Sequence, residues 1–182
     1  WGGENVMPVK KHLFLWAPQD ETLYFKDKKE IPISFMGSIN GYSDRFKFLS
    51  YLKQKEINIF ISGGQRENRL TSEQYASIIR KSFISINFPE SPSGKDQFKG
   101  RCIEIIASNT LLFEKEGVAT KKFLVPGQEY VEFKTPEDLE YKITYYINNK
   151  KELELICNAG HEAYKNRFSS NIFWKKIENY EN

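Results

Sequence analysis

Two short stretches carry residue types suited to holding an anion. The first is Gly37-Ser38-Ile39-Asn40-Gly41, followed by Arg45. Small residues let backbone N–H groups come close to a phosphate, and a helix start behind them adds partial positive charge. Arg45, one turn into such a helix, can donate to the same anion with two parallel N–H groups. The spacing is not GxGxxG, so a dinucleotide site is poorly supported, and an ordinary strand-to-helix turn has the same composition. The second stretch is Ser93 to Glu104 (SGKDQFKGRCIE), with Lys95, Lys99 and Arg101 basic, Gly94 and Gly100 permissive, and Asp96 and Glu104 framing it. Lysine and arginine at a loop-to-helix junction can clamp a diphosphate, and a carboxylate such as Glu104 can accept from two ribose hydroxyls. A solvated charged loop leading into a helix would read the same way.

Other chemistries find little support. His12 and His161 are far apart and lack ligand-spaced partners, so no metal centre is expected. There is no Gly-x-Ser-x-Gly elbow and no Cys/His pairing that would mark a nucleophile. Cys102 and Cys157 form no CxxC pair and read as small buried hydrophobes.

The elements that must position these residues follow from periodicity. Ile31–Met36 (IPISFM) reads as a buried strand, with Pro32 tolerated at its start. Asp44 to Lys55 carries Phe46, Leu49 and Leu52 at helical spacing. Ile57–Ser62 is a second strand, closed by Gly63-Gly64. Thr71 and Gln74 form a capping-box signature for a helix to about Lys81. Phe83–Phe88 is a third strand, Gln97–Ser108 a helix, Thr110–Phe113 a fourth strand and Tyr130–Phe133 a possible fifth. Thr135-Pro136-Glu137-Asp138 opens a further helix, and helices continue to about Tyr180 with breaks near Asn148 and Gly160. Strands alternating with helices of this length predict an α/β fold. The expected form is a Rossmann-like, doubly wound parallel sheet in a three-layer αβα arrangement, with strand one central.

Composition bounds the rest. The 182 residues fit one domain comfortably. With 27 Lys and Arg against 24 Asp and Glu, the net charge is +3, well short of a nucleic-acid footprint, so no nucleic-acid partner is expected. A mild basic surplus does suit a phosphate-bearing ligand. Aromatics at 15% could stack on bases or sugars, though the same residues fill cores. No apolar run approaches the length of a transmembrane segment. Two lone cysteines fit a reducing compartment, and a cytoplasmic location is the expectation. With Trp1 in first place, the chain is expected to be a domain of a longer protein.

Several stretches carry a family resemblance. They are Ile33-Ser34-Phe35-Met36-Gly37-Ser38 with Arg45 and Phe48-Leu49, then Tyr75 to Asn87 (YASIIRKSFISIN), then Lys99-Gly100-Arg101-Cys102-Ile103-Glu104-Ile105-Ile106-Ala107. Pro126-Gly127-Gln128-Glu129-Tyr130, Pro136-Glu137-Asp138-Leu139 and Gly160 with its helix follow in order. Together these resemble the C-terminal domain of group 1 glycosyltransferases of the GT-B fold, especially the CgeB-like branch. The resemblance covers roughly residues 31 to 170.

The resemblance implies a metal-independent transfer of a sugar from a nucleotide diphosphate sugar to a saccharide or other hydroxyl acceptor. Gly37, Ser38, Lys99 and Arg101 would hold the diphosphate, with Arg45 beside them, and Glu104 the ribose. An acid, seven spacers and a Glu mark the donor site in such families. Asp96 and Glu104 have that spacing, with Asp96 one methylene shorter than the usual Glu. Asn109 stands where those families often carry Gly, just past the helix, where Asn is the next best left-handed cap. Residues 1–30 would be an interdomain linker and strand remnant, and 31–182 the nucleotide-sugar-binding domain. A preceding N-terminal acceptor domain would contact His12 to Trp16 and the aromatic tail at Phe173, Trp174 and Tyr180. The alternative is a non-catalytic nucleotide-binding or protein-interaction module of the same fold.

Overall fold

A computed structural model of the protein describes residues 13, 15–63, 70–91 and 93–181, so the readings of His12 and Gly64 lie outside it. The sheet strands are β1 (Ile31–Met36), β2 (Phe60–Ser62), β3 (Ser82–Asn87), β4 (Leu111–Lys115) and β5 (Val131–Phe133). Between and after them run α1 (Ser43–Gln54), α2 (Ser72–Lys81), α3 (Gly100–Ala107), α4 (Pro136–Asn148), α5 (Lys150–Arg167) and α6 (Ser170–Glu181). A 3₁₀ turn occupies Thr120–Lys122. Every strand pair is parallel, in the order β2-β1-β3-β4-β5. The doubly wound expectation holds, with one change: β3 takes the centre and β1 lies beside it, because β4 and β5 both add on the β3 side.

Alternation along the strands divides the core. Ile33 and Phe35 of β1, Ile84 and Ile86 of β3, and Phe113 and Phe133 share one face with Phe48, Leu49 and Leu52 of α1 and Leu139 and Ile143 of α4. Met36 and Leu112 face the other way, toward Ile79 of α2 and Cys102, Ile103 and Ile106 of α3. A ring cluster of Phe35, Phe48, Phe88 and Phe133, with centroids 5.5 to 5.7 Å apart, ties α1 to the strand ends from which the loops emerge. Phe46, expected in the core, is exposed, and Phe48 takes its place.

Local chemistry sets the helix ends. Thr71 and Gln74 make the full capping box, and Thr135 Oγ1 accepts from the Asp138 N–H with Pro136 behind it. α1 ends when Glu56 turns left-handed (φ 57°), letting the Ile57 N–H reach back to Leu52 O. That closure takes Ile57 out of the expected strand, so β2 begins at Phe60. Asn109 does the same for α3 at φ 49°, as expected of an asparagine in that place. The helix expected from Gln97 starts only at Gly100. Gln97 N–H is taken by Pro89 O, and Phe98 is buried against Trp16, Phe123 and Phe168, which keeps 97–99 extended.

Of the aromatic segments expected to meet a further domain, Trp16 packs edge-on against Phe98 and Phe123. Trp174 is 58% exposed.

Gly160 does not break the helices as expected; α5 runs through it, and the break falls at Phe168. Glycine is required there for proximity. A Cβ on residue 160 would lie 2.6 Å from the carbonyl oxygen of Glu129 and 3.3 Å from Ile106 Cγ2. Alanine would favour the helix by about 1 kcal/mol, but the close partner is backbone and must be displaced, at about 1 to 3 kcal/mol. Gly160→Ala is therefore expected to lower the urea midpoint without changing the slope of the transition. A midpoint equal to or above that of the unaltered chain would show that α5 does not approach residue 129 this closely.

Candidate functional site

In a doubly wound sheet, the crevice for ligands opens where chain connections diverge to opposite sides. Here that point lies between β1, which leads to β2 on one side, and β3, which continues toward β4 on the other. The loop after β1 and the loop after β3 flank it. Both anion-suited stretches of the sequence therefore come to one edge of the sheet.

Three cations meet there. Arg45, 4% exposed, donates from Nη1 to Ser38 O (2.7 Å) and from Nη2 to Glu90 O (3.4 Å). Lys99 Nζ donates to Phe88 O (2.8 Å) and Glu90 O (2.7 Å). Arg101 donates from Nη1 to Asn87 Oδ1 (2.9 Å) and from Nε to the Tyr75 hydroxyl (3.1 Å). Tyr42, the residue before α1, lies under the Arg45 guanidinium at 3.5 Å from ring centroid to Cζ, and Lys99 Nζ is 6.0 Å from the same ring. Nearly all of these partners are neutral, so the positive charge is positioned but not cancelled. Arg45 Nε has no hydrogen-bond partner among the described residues. Burial, reinforced by the neighbouring charges of Arg45 and Arg101, lowers Lys99 to about 8. Burial also pulls Arg45 down, though an arginine stays charged at neutral pH.

Gly37 belongs to this site, but not as the amide donor that its sequence context predicts. Its N–H is already committed to Ser62 O at 2.7 Å, which continues the sheet ladder. Its contribution is the missing side chain: a Cβ would lie 3.0 to 3.3 Å from the Arg101 guanidinium. Ser38 likewise contributes its carbonyl, which holds Arg45. Gly63, at φ 130°, closes against Gly37 from the β2 side. α3 starts without a side-chain cap, since its N-cap, Lys99, carries donors only, which go to Phe88 O and Glu90 O.

Glu104 stands one turn into α3. Its Oε2 accepts from the Tyr75 hydroxyl of α2 at 2.9 Å, so Tyr75 links Glu104 to Arg101. Burial raises the Glu104 carboxyl above its ordinary value, opposed by hydrogen bonds from Tyr75 and Tyr24 and by the Arg101 charge. Burial raises the Tyr24 hydroxyl too, with Glu104 and Tyr75 adding to the shift. Asp96 is not brought to Glu104. It is exposed, and its Oδ2 accepts from Val118 N–H at 3.1 Å, with a Cβ at Gly117 excluded by the same carboxylate. It borders a shallow cleft with Lys99 and Gly100 that Glu104 does not line. Lys95 is exposed.

Four residues of the site carry little signal in the sequence. Tyr42 and Tyr75 read as ordinary aromatics at helix starts. Asn87 and Glu114 sit at the carboxyl ends of β3 and β4. Asn87 Nδ2 donates to Glu114 Oε2 at 2.8 Å, and Thr120 Oγ1 donates to Glu114 Oε1 at 3.1 Å. Glu114 is 1% exposed, and burial pushes its carboxyl up to about 7. A polar residue inside the apolar run FISINF was the one available clue to Asn87. Among the described residues no three His, Cys, Asp or Glu side chains are grouped to hold a metal ion. No helix of the described residues is long and apolar enough to cross a membrane.

The profile of the glycosyl transferase-like family matches residues 20–179 of this sequence. The chain belongs to that family. No curated protein matches it. Among solved structures, this glycosyl transferase-like chain is similar to the C-terminal domain of a glycosyl transferase group 1 family protein (LpcC) from Francisella tularensis, at 12% identity and TM-score 0.61, covering 84% of this chain and 99% of that one. It is also similar to sucrose-phosphate synthase from Thermosynechococcus elongatus (12% identity, TM-score 0.64, 91% of this chain and 51% of that one). A third is Anabaena Alr3699/HepE in complex with UDP and glucose (9% identity, TM-score 0.69, 92% and 56%). The chain thus spans about half the length of the latter two, and at these identities the likeness is one of fold.

The Tyr75 bridge is open to direct test. A hydrogen bond donated to a carboxylate favours its ionised form, so removing it leaves burial less opposed. In Tyr75→Phe the Glu104 side-chain carbon signal is expected to titrate at higher pH than in the unaltered chain, followed by NMR. An unchanged or lower midpoint would show that Tyr75 does not hold Glu104.

Proposed function

We propose that this chain is the donor-binding domain of a group 1 glycosyltransferase, of the CgeB-like branch. It would hold a nucleotide diphosphate sugar for transfer to a saccharide or other hydroxyl acceptor. The observation that carries this reading is the group of three cations at the switch point, Arg45, Lys99 and Arg101, which are held by backbone carbonyls and neutral side chains. Such an arrangement fits a ligand bearing several negative charges at close spacing. A diphosphate suits it, and Glu104 beside Arg101 suits the hydroxyls of an attached ribose. The family membership supports transfer chemistry, and the fold is shared with a protein whose structure was determined with UDP and glucose.

In this reading Lys99 and Arg101, with the uncapped start of α3, face the diphosphate, and Arg45 reaches its outer end. As the bond from sugar to phosphate breaks, negative charge accumulates on the departing diphosphate. Donors already in place stabilise that charge without reorganising. Three fixed cations would do this without a metal ion. Asp96 would meet the sugar from the Lys99 side, on giving up the bond it accepts from Val118 N–H. The acceptor and its general base would come from a preceding N-terminal domain, for which exposed Trp174 offers apolar surface. Two buried free thiols fit a reducing compartment, and we place the protein in the cytoplasm.

Calorimetry distinguishes the two halves of the site. A charge-assisted contact to phosphate contributes about 1.5 to 3 kcal/mol, so Arg101→Ala is expected to weaken a nucleoside diphosphate and inorganic pyrophosphate alike, by about 10- to 100-fold. Glu104→Ala is expected to weaken only the nucleoside diphosphate. Equal losses for both ligands in Glu104→Ala would make Glu104 structural, and unchanged binding in both variants would remove this crevice as the donor site.

A further inference from the structure

Glu114 is an acid buried directly behind the cation cluster that none of the ligand contacts proposed above uses. It receives Asn87 Nδ2 at 2.8 Å, Thr120 Oγ1 at 3.1 Å, and more weakly Cys102 Sγ at 3.7 Å. The other end of the same Asn87 amide, Oδ1, accepts from Arg101 Nη1 at 2.9 Å. Asn87 is fully buried, so water cannot substitute for either partner. We propose that Glu114 is a positioning residue for Arg101, acting through the orientation of the Asn87 amide.

The chemistry of donors and acceptors requires this order. A guanidinium can only donate, so Arg101 demands the Asn87 oxygen. With the amide so turned, Nδ2 points at Glu114 and needs an acceptor there. A carboxylate supplies two acceptor oxygens, and the second takes the Thr120 hydroxyl. A neutral Glu114 carries an O–H that must donate. On Oε1 that proton goes to Thr120 and leaves the Asn87 amide as it is; on Oε2 it faces the Asn87 donor and favours the reversed amide, which sets Nδ2 against Arg101, so only the ionised acid excludes the reversal. Ionised Glu114 therefore locks Arg101 over Gly37, where the absent Cβ leaves room for the guanidinium.

This arrangement makes the site sensitive to pH. Burial holds Glu114 near 7, with the hydrogen bonds from Asn87 and Thr120 and the charge of Lys99 pulling the other way. The surrounding groups are Asn87 on β3, Cys102 on α3, Lys99 before it, and Thr120 on the 3₁₀ turn. On the β5 side lie Tyr130, whose hydroxyl senses the Glu114 charge, and Glu132, the register neighbour of Glu114, paired with Lys121 at 3.0 Å. Cys102 is held neutral by burial. Lys99, near 8, titrates in the adjoining range and feels the Glu114 charge, so the Arg101 signal, and not affinity alone, separates the two steps.

The effect on ligand affinity rests on the donor-site reading; the coupling of Glu114 to Arg101 does not. Glu114→Gln keeps an acceptor for Asn87 and can donate to Thr120, but it does not titrate. In the ligand-free protein the Arg101 Nε–H signal, followed by NMR, is expected to show a step near pH 7 that is missing in Glu114→Gln. Between pH 8 and pH 6, pyrophosphate affinity should fall about tenfold more in the unaltered chain than in Glu114→Gln, from the loss of one well-placed contact. The ionisation of pyrophosphate itself cancels in that ratio. Glu114→Leu, which leaves Nδ2 only the weak acceptor Cys102 Sγ at 3.3 Å, should bind weakly at both pH values, and Gln should rescue it. An Arg101 signal that follows pH identically in the unaltered chain and in Glu114→Gln overturns the relay while leaving the donor site intact. A step that disappears in Glu114→Gln, in a protein that binds neither pyrophosphate nor UDP, overturns the donor-site reading and keeps the relay. Should Glu114→Gln not fold, absence of any Arg101 step near pH 7 in the unaltered chain overturns the relay on its own.

Discussion

The mutual repulsion of Arg45, Lys99 and Arg101 is the constraint around which the rest of this molecule is arranged. Like charges at close range raise one another's energy, and burial adds to the cost. Lys99 registers both effects. The fold holds the cluster together with main-chain carbonyls of Ser38, Phe88 and Glu90, which supply hydrogen bonds without neutralising charge. An acidic partner at the same place would satisfy the cations and remove their use. Glu104 and Glu114 are both near, yet each is engaged by neutral donors, Tyr75 in one case and Asn87 with Thr120 in the other.

The scaffold serves that arrangement at each level. The strand order diverges between β1 and β3, which opens the crevice where the loops after both strands can reach it. The phenylalanine cluster under those loops fixes α1, and with it Arg45. The extended stretch 97–99, pinned by Phe98 among aromatic rings, presents Lys99 and delays the start of α3 to Gly100. Gly37 admits the Arg101 guanidinium, and Gly160 lets α5 lie close behind the 125–130 turn.

Much of this was legible in the sequence wherever the signal is local. Caps at Thr71 and Thr135 depend on residues three apart and were read correctly, as was the left-handed Asn109. Strand and helix alternation led to the parallel sheet. The misreadings share a cause, which is that tertiary contacts overrode local pattern. Gly160 resembles a helix breaker until Glu129 is seen against it. Gln97 to Lys99 have helical composition, but Phe98 is drawn into a distant aromatic cluster. Gly37 looks like an amide donor because its neighbours are small, whereas its N–H belongs to the sheet. Glu114 falls just past the strand expected over Thr110–Phe113, since a charged residue normally marks a strand's end, yet β4 runs through it to Lys115. Only the depth of the β4 end, and the presence of Asn87 opposite, gives that acid a place inside.

The central claim is that the cation cluster at the switch point receives a diphosphate whose nucleoside lies toward Glu104. A crystal structure of the chain with a bound nucleoside diphosphate tests it most directly. The account predicts phosphate oxygens within hydrogen-bond distance of Lys99 and Arg101, with the ribose hydroxyls on the Glu104 carboxylate. A nucleotide bound elsewhere, for instance in the aromatic pocket of Trp16, Phe123 and Phe168, with Arg45, Lys99 and Arg101 still on their carbonyl partners and free of phosphate, would contradict it.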